Sequence, residues 1–119
     1  MQNNEAHKNY SAVCFNRVWD LLDLESRTDK ETDEMVECAH ASLWQWMRRT
    51  DGTPTNLSIG LWQISRVYAT VGNAAMAAEY AERCEKVSRD GKIAPFFLAY
   101  AFEARARAEA LAGNRESAD

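Results

Sequence analysis

The 119-residue chain has few residues that cross-link or interrupt a small fold: three cysteines, two prolines and five glycines. The cysteines Cys14, Cys38 and Cys84 are an odd number without C-x-x-C spacing, which indicates neither a disulfide framework nor a zinc site. The scattered glycines form no phosphate-binding loop. We therefore expect reduced thiols and a cytoplasmic location, because disulfides are rare in that compartment.

An excess of positive charge and a long apolar run are also missing. Eighteen acidic and 14 basic side chains give a net charge of −4, which argues against a nucleic-acid partner. The longest apolar run, 93–102, contains Pro95 and is shorter than the ~20 residues of a membrane-spanning helix. The polar stretch 1–10 has no apolar core of a signal peptide. We therefore expect no membrane and no secretion, which agrees with a cytoplasmic location.

What the chain does contain is helical periodicity over most of its length, without a lasting strand-like alternation. The pattern predicts one all-α domain, 1–119, with about five helices. Its parts are a divergent N-terminal helix pair at 9–49, with the first helix ending near Leu24, a well-formed helix pair at 54–90, and an incomplete unit at 95–119.

Capping residues mark the helix ends. Thr28 precedes Glu31 with capping-box spacing, and Thr53 precedes Pro54, a residue favoured at the first helical position. Gly72 is placed to end the third helix in the left-handed conformation, and the next residue can cap the fourth. The same Gly-Asn pair returns at Gly113, so we expect a second turn there, and we expect Gly91 to end the fourth helix.

The segment 61–89 resembles the tetratricopeptide repeat in the places that hold that family's helix pair together. Tyr68, Gly72, Ala77 and Ala81 match its pattern, with a small residue at Ser65. The match is weaker over 97–119, and the interval between the two Gly-Asn turns exceeds the family's usual ~34 residues. The whole chain also resembles small bacterial repeat proteins. The resemblance implies a right-handed array of antiparallel helix hairpins whose first helices line a concave groove.

Aligned on the turn glycines, the resemblance implies that two helices contribute the groove residues Trp62, Gln63, Arg66, Tyr100, Glu103 and Arg107. Arg66 and Arg107 take equivalent positions, about 10 Å apart at normal helix spacing. They could hold a carboxylate or phosphate between apolar walls. In the alternative, Arg107 pairs with Glu103 four residues earlier and Arg66 is simply solvated.

The second helix carries an E-x-x-H pattern, Glu37 with His40, and Asp33 lies one turn earlier. This spacing is one half of a di-iron carboxylate site. A complete site needs a second such motif, and the chain has only two histidines, so we expect no metal and no cofactor. The alternative is that His40 packs beside Trp44 or joins a partly buried hydrogen-bond network.

Four tryptophans are many for a chain of this length. Trp19 and Trp46 lie on apolar helical stripes and are expected in the core. Trp44 and Trp62 lie off the stripes, which is typical of interface aromatics. The cysteines are expected to be small buried residues, and the serines at 42, 58 and 65 lie inside helices, where they do not form a nucleophile elbow.

These observations favour a non-catalytic, cytoplasmic module that binds a protein or peptide in its groove, one with a carboxylate or other anionic group. Two alternatives stay open: a small all-α metal-dependent enzyme or sensor using the E-x-x-H helix, and a self-associating structural protein. Because the sequence ends soon after Gly113, we expect a homodimer that covers part of the fifth helix. The expected contacts are Phe96, Phe97, Tyr100 and Leu111.

Overall fold

The computed structural model describes residues 4–118, without the side chains of 4, 96 and 114–118. Within that range the chain forms five helices and no strand. They are α1 (Asn4–Leu22), α2 (Asp29–Arg48), α3 (Pro54–Thr70), α4 (Ala74–Asp90) and α5 (Pro95–Ala118). The all-α prediction is confirmed.

The predicted caps hold the starts of the middle helices. Thr28 accepts a bond from the Glu31 backbone N–H at 3.1 Å, and the Glu31 carboxylate accepts one from the Thr28 N–H at 3.0 Å. This reciprocal pair is a capping box. Thr53 caps α3 immediately before Pro54. These signals span only three residues, so the sequence alone predicts them.

The two helix ends of the α3–α4 pair are built differently. Gly72 has φ of 86°, the left-handed conformation predicted for it. Gly91 has φ of −81°, and the left-handed residue after α4 is Lys92, with φ of 51°. Glycine is needed at 91 for space, because an added Cβ would lie 2.4 Å from the Cβ of Pro54.

Two predicted boundaries are wrong. The first helix begins at Asn4 and ends at Leu22, where the sequence predicted about 9–24. More important, no turn interrupts the chain at Gly113, because α5 continues through it to Ala118. A Gly-Asn pair permits a turn without requiring one, and a helix tolerates an isolated glycine at a loss of about 1 kcal/mol.

Consecutive helices pack against each other, and α3 also contacts α5. The larger core cluster joins the first three helices through Val18, Leu21, Met35, Ala39, Ile64 and Val67. A second cluster joins the last three through Leu61, Cys84 and Ala101. Helix α3 belongs to both clusters, so it is the central element of the fold.

Small residues allow close packing beside α4. Ala77 and Ala81 are fully buried, as the repeat pattern predicts, whereas Tyr68 is only partly buried. In α5 the buried alanines lie on one side, at 101, 104 and 108, and Phe102 on the opposite side is 45% exposed. In the described part of the chain, α5 is therefore covered on one side.

Candidate functional site

The predicted groove residues of α3 and α5 do come together. The rings of Trp62 and Tyr100 lie edge to face with their centroids 5.2 Å apart. The ring of Phe97, one turn earlier on α5, has its centroid 6.5 Å from that of Tyr100. The walls of the site are therefore aromatic, as expected from the sequence.

Helix α1 adds a wall that the sequence analysis did not assign to the site. The ring of Trp19 lies 5.6 Å from that of Trp62 and 5.9 Å from that of Phe15. Trp19 was expected in the core, but it is only half-buried. Trp46 is half-buried too, so both core assignments are wrong. A position on an apolar helical stripe predicts that the side chain faces a neighbouring helix. It does not predict how much of the side chain that helix buries.

Residues of α1, α3 and α5 line an open pocket of about 300 Å³. Its lining residues are Trp19, Ser58, Ile59, Trp62, Phe97 and Tyr100. The volume is near the lower end of the roughly 300–1,000 Å³ typical of ligand sites. Such a pocket suits one apolar or aromatic side chain better than a large cofactor.

Gln63 lies between α1 and α3 and is fully buried. Its Nε2 donates to the backbone carbonyl of Phe15 at 3.1 Å, and this bond holds α1 beside α3. Its Oε1 has no hydrogen-bond partner among residues 4–118. Gln63 therefore helps to hold α1, which carries Trp19, beside the pocket. Gln63 itself lies inside the fold, and its neighbours on α3 line the pocket.

Of the two predicted clamp arginines, Arg66 lies beside an aromatic ring and Arg107 is paired within its own helix. The guanidinium of Arg66 is 5.7 Å from the ring centroid of Trp19, a cation–π distance. Arg107 donates to the carboxylate of Glu103, the ion pair foreseen in the alternative interpretation. The structure therefore pairs Arg107 within α5, while Arg66 is half-buried against an aromatic face.

Buried polar atoms without a partner are concentrated here. Within the described part of the chain there are four such atoms: the Nε1 of Trp62, the Oε1 of Gln63, the Nε of Arg66 and an Nη of Arg107. All four belong to residues predicted for the groove, and three are N–H donors. A buried donor without an acceptor destabilises a fold by about 1–3 kcal/mol.

His40 belongs to an aromatic cluster away from this pocket. Its Nε2 lies 2.8 Å from the hydroxyl of Tyr68, and its ring contacts Tyr80 edge to face. Burial lowers the pKa of His40, and the nearby Glu37 carboxylate partly opposes that shift. This is the partly buried network foreseen as an alternative for His40. Among the described residues, no group of three or more His, Cys, Asp or Glu side chains is placed to hold a metal, so Asp33 gains no such partners.

The second predicted surface lies on α2. Trp44 is 48% exposed, as expected for an off-stripe aromatic, and Met47 is 64% exposed. The guanidinium carbon of Arg48 lies 4.8 Å from the centroid of the Trp44 ring, and the ring of His7 on α1 contacts the same ring edge to face. Beside them is an open depression lined by Glu37, His40, Ala41, Leu43, Trp44 and Met47.

The buried serines serve the helix packing. Ser58 lies 2.7 Å from the hydroxyl of Ser88, Ser65 donates to the Ala77 carbonyl at 2.7 Å, and Ser42 donates to the Ser11 carbonyl at 3.1 Å. Each joins one helix to another. The prediction that the serines at 42, 58 and 65 lie inside helices is confirmed.

No protein-family model, curated protein or solved structure matches this chain. The resemblance to the tetratricopeptide repeat therefore stays a prediction from the residues that carry it. None of the helices in residues 4–118 is long and apolar enough to cross a membrane.

Proposed function

We propose that the chain is a non-catalytic, cytoplasmic binding module built as a right-handed array of antiparallel helix hairpins. Its ligand is a protein or peptide segment that carries an apolar side chain next to a carboxylate. The apolar side chain enters the pocket between Trp19, Trp62 and Tyr100, and the carboxylate binds beside Arg66.

The unpartnered N–H donors carry this proposal. Trp62, Arg66 and Arg107 each have a buried donor atom that no acceptor in the described range satisfies. Their side chains are half-buried, so a small rotation would bring the donors to a ligand. Carboxylates and backbone carbonyls are acceptors, and hydrogen bonds to charged groups contribute about 1.5–3 kcal/mol.

Local charge favours an anionic ligand even though the whole chain is negative. Arg66 has no carboxylate partner within the described residues, and its contact is the face of Trp19. Arg107 is neutralised by Glu103, which is 45% exposed and could move aside. A ligand carboxylate would therefore meet Arg66 first and would compete with Glu103 for Arg107.

The test uses fluorescein-labelled tripeptides ending in phenylalanine, with either a free or an amidated carboxyl terminus, and measures binding by fluorescence anisotropy. The free carboxylate should bind at least about tenfold more tightly, which corresponds to about 1.4 kcal/mol. Arg66→Ala should remove that preference. Arg83→Ala is the matched control, because Arg83 forms an exposed ion pair with Glu79 on α4.

Equal affinity for the free and amidated peptides, or equal effects of the two arginine substitutions, would contradict the proposal. Glu103→Gln gives a further check that does not weaken the site. It frees Arg107, so it should strengthen binding of the free carboxylate several-fold and leave the amide unchanged.

Self-association is a second candidate, favoured by the exposed face of α5. Phe102 is 45% exposed there, and the alanines at 106 and 110 beside it are exposed as well. Of the contacts expected for a homodimer, Phe97, Tyr100 and Leu111 are half-buried, and the side chain of Phe96 lies outside the described residues. Sedimentation at micromolar concentration should show a dimer that Phe102→Ser converts to a monomer. A wild-type monomer would rule it out.

A further inference from the structure

Contacts between α1 and α2 fix which residues face each other. Arg17 pairs with Glu34 at 3.0 Å, and the carbonyl of Ser11 accepts a bond from Ser42 at 3.1 Å. The two helices therefore run in opposite directions. A residue one turn earlier on α1 faces a residue one turn later on α2. The residues midway between these two contacts must also face each other.

The residues at those midway positions are Cys14 on α1 and Cys38 on α2. Cys14 lies three residues from both Ser11 and Arg17, and Cys38 lies four residues from both of their partners. The alignment of the two helices therefore places the two thiols opposite each other. Both are free, and both are half-buried.

The two helices approach each other closely one turn away from this point. A serine hydroxyl reaches the opposite backbone only where side chains between two helices are small, and Ser42 does so one turn from Cys38. A disulfide needs Cα atoms about 4.4–6.8 Å apart, a distance that facing small residues on closely packed helices can reach.

The surroundings of the two thiols differ from those of the third. Cys38 packs against the larger core cluster, and burial, followed by the neighbouring Cys14, raises the pKa of its thiol. Cys84 is fully buried, and its thiol donates to the Ser58 carbonyl at 3.3 Å. A reagent in solution therefore reaches the α1–α2 pair before it reaches Cys84.

We propose that Cys14 and Cys38 form a redox-active dithiol that exchanges with small-molecule disulfides such as oxidised glutathione. Cys14, as a thiolate, attacks one sulfur of the disulfide, forms a mixed disulfide and releases one glutathione thiolate. Cys38 loses its proton and attacks the Sγ of Cys14, which forms the intramolecular bond and releases the second glutathione. The protein loses two electrons and two protons, and oxidised glutathione becomes two molecules of reduced glutathione.

The bond would join α1 to α2 covalently. Helix α1 carries Trp19, so its position relative to the other helices also sets one wall of the aromatic pocket. The dithiol does not depend on what that pocket binds, and it can be tested without a ligand.

The test equilibrates the purified protein with mixtures of oxidised and reduced glutathione, alkylates the remaining thiols and measures intact mass. Peptide mapping then locates any disulfide. The expected product is a monomer that has lost two hydrogens, with Cys14 bonded to Cys38 and Cys84 still a thiol. Adding excess reduced glutathione should restore all three thiols.

Single substitutions sharpen the result. Cys84→Ser should leave the oxidation unchanged, whereas Cys14→Ser or Cys38→Ser should abolish the internal bond and leave a mixed disulfide on the remaining thiol. Three unreacted thiols, a persistent glutathione adduct on the wild-type protein, or only intermolecular disulfides would overturn the proposal. The wild-type measurement alone decides it, even if a variant folds poorly.

Discussion

Replacing Gly91 by alanine should destabilise the protein, although its backbone conformation is open to any residue. Its φ is −81°, so the left-handed region plays no part. An added Cβ would lie 2.4 Å from the Cβ of Pro54 and 2.9 Å from the carbonyl oxygen of Val87. Pro54 is the rigid first residue of α3, so the end of α4 and the start of α3 must move apart. Overpacking of this kind typically lowers the free energy of unfolding by about 1–3 kcal/mol.

Gly113 provides the matched control with the opposite sign. It lies within α5, and among the described residues no heavy atom beyond its chain neighbours and its own helix backbone is within 4 Å of an added Cβ. Gly113→Ala should therefore raise the free energy of unfolding by about 0.5–1 kcal/mol, the usual gain from alanine inside a helix. The two alanine variants should differ by about 1.5–4 kcal/mol.

Urea denaturation followed by tryptophan fluorescence measures both variants against the wild-type protein. A neutral Gly91→Ala would show that the end of α4 does not approach Pro54 as the structure describes. A destabilised Gly113→Ala would favour the turn that the sequence predicts over the continuous α5. The pair of variants therefore tests the contact between α3 and α4 and the length of α5 independently.

Three further predictions concern the helix junctions. Gly72→Val should lower the free energy of unfolding by at least about 1 kcal/mol in the same urea assay, because a β-branched residue resists the φ of 86°. Ala81→Leu should lower it by about 1–3 kcal/mol, because Ala81 is fully buried; an unchanged stability would mean that the α3–α4 packing is wrong. Burial lowers the pKa of His40 in the folded protein, so the unfolded chain takes up that proton first and stability should fall as the pH drops below about 6.5. Thermal melts across that window should show a smaller fall in His40→Gln, and an identical fall would assign the effect to other groups.

Local signals in the sequence predicted the middle of the fold. The Thr28 capping box, the Thr53 cap and the left-handed Gly72 all depend on contacts within a few residues. The turn predicted at Gly113 failed because the same dipeptide is compatible with helix when the residues around it favour helix. Gly91 shows a third case, in which the residue type was recognised but the reason for it, contact with Pro54, is tertiary.

The candidate site was predictable only in the part that follows from the repeat alignment. That alignment placed Trp62 and Tyr100 on neighbouring helices, and their rings do meet. It could not include Trp19, because the first two helices hardly match the repeat pattern and the packing of α1 is set by distant contacts. The facing of Cys14 and Cys38 was hidden for the same reason, since it depends on how α1 and α2 are aligned.

The most direct test of the binding proposal is a nitrogen-15 NMR titration of the indole N–H signals. Four tryptophans give four such resonances, which Trp→Phe substitutions assign. If the carboxylate peptide binds as proposed, the Trp62 indole proton gains an acceptor and its resonance moves furthest downfield, while that of the exposed Trp44 stays unchanged. The amidated peptide should cause a smaller shift. A Trp62 signal that does not move at saturating peptide, or a larger shift at Trp44, would contradict the account.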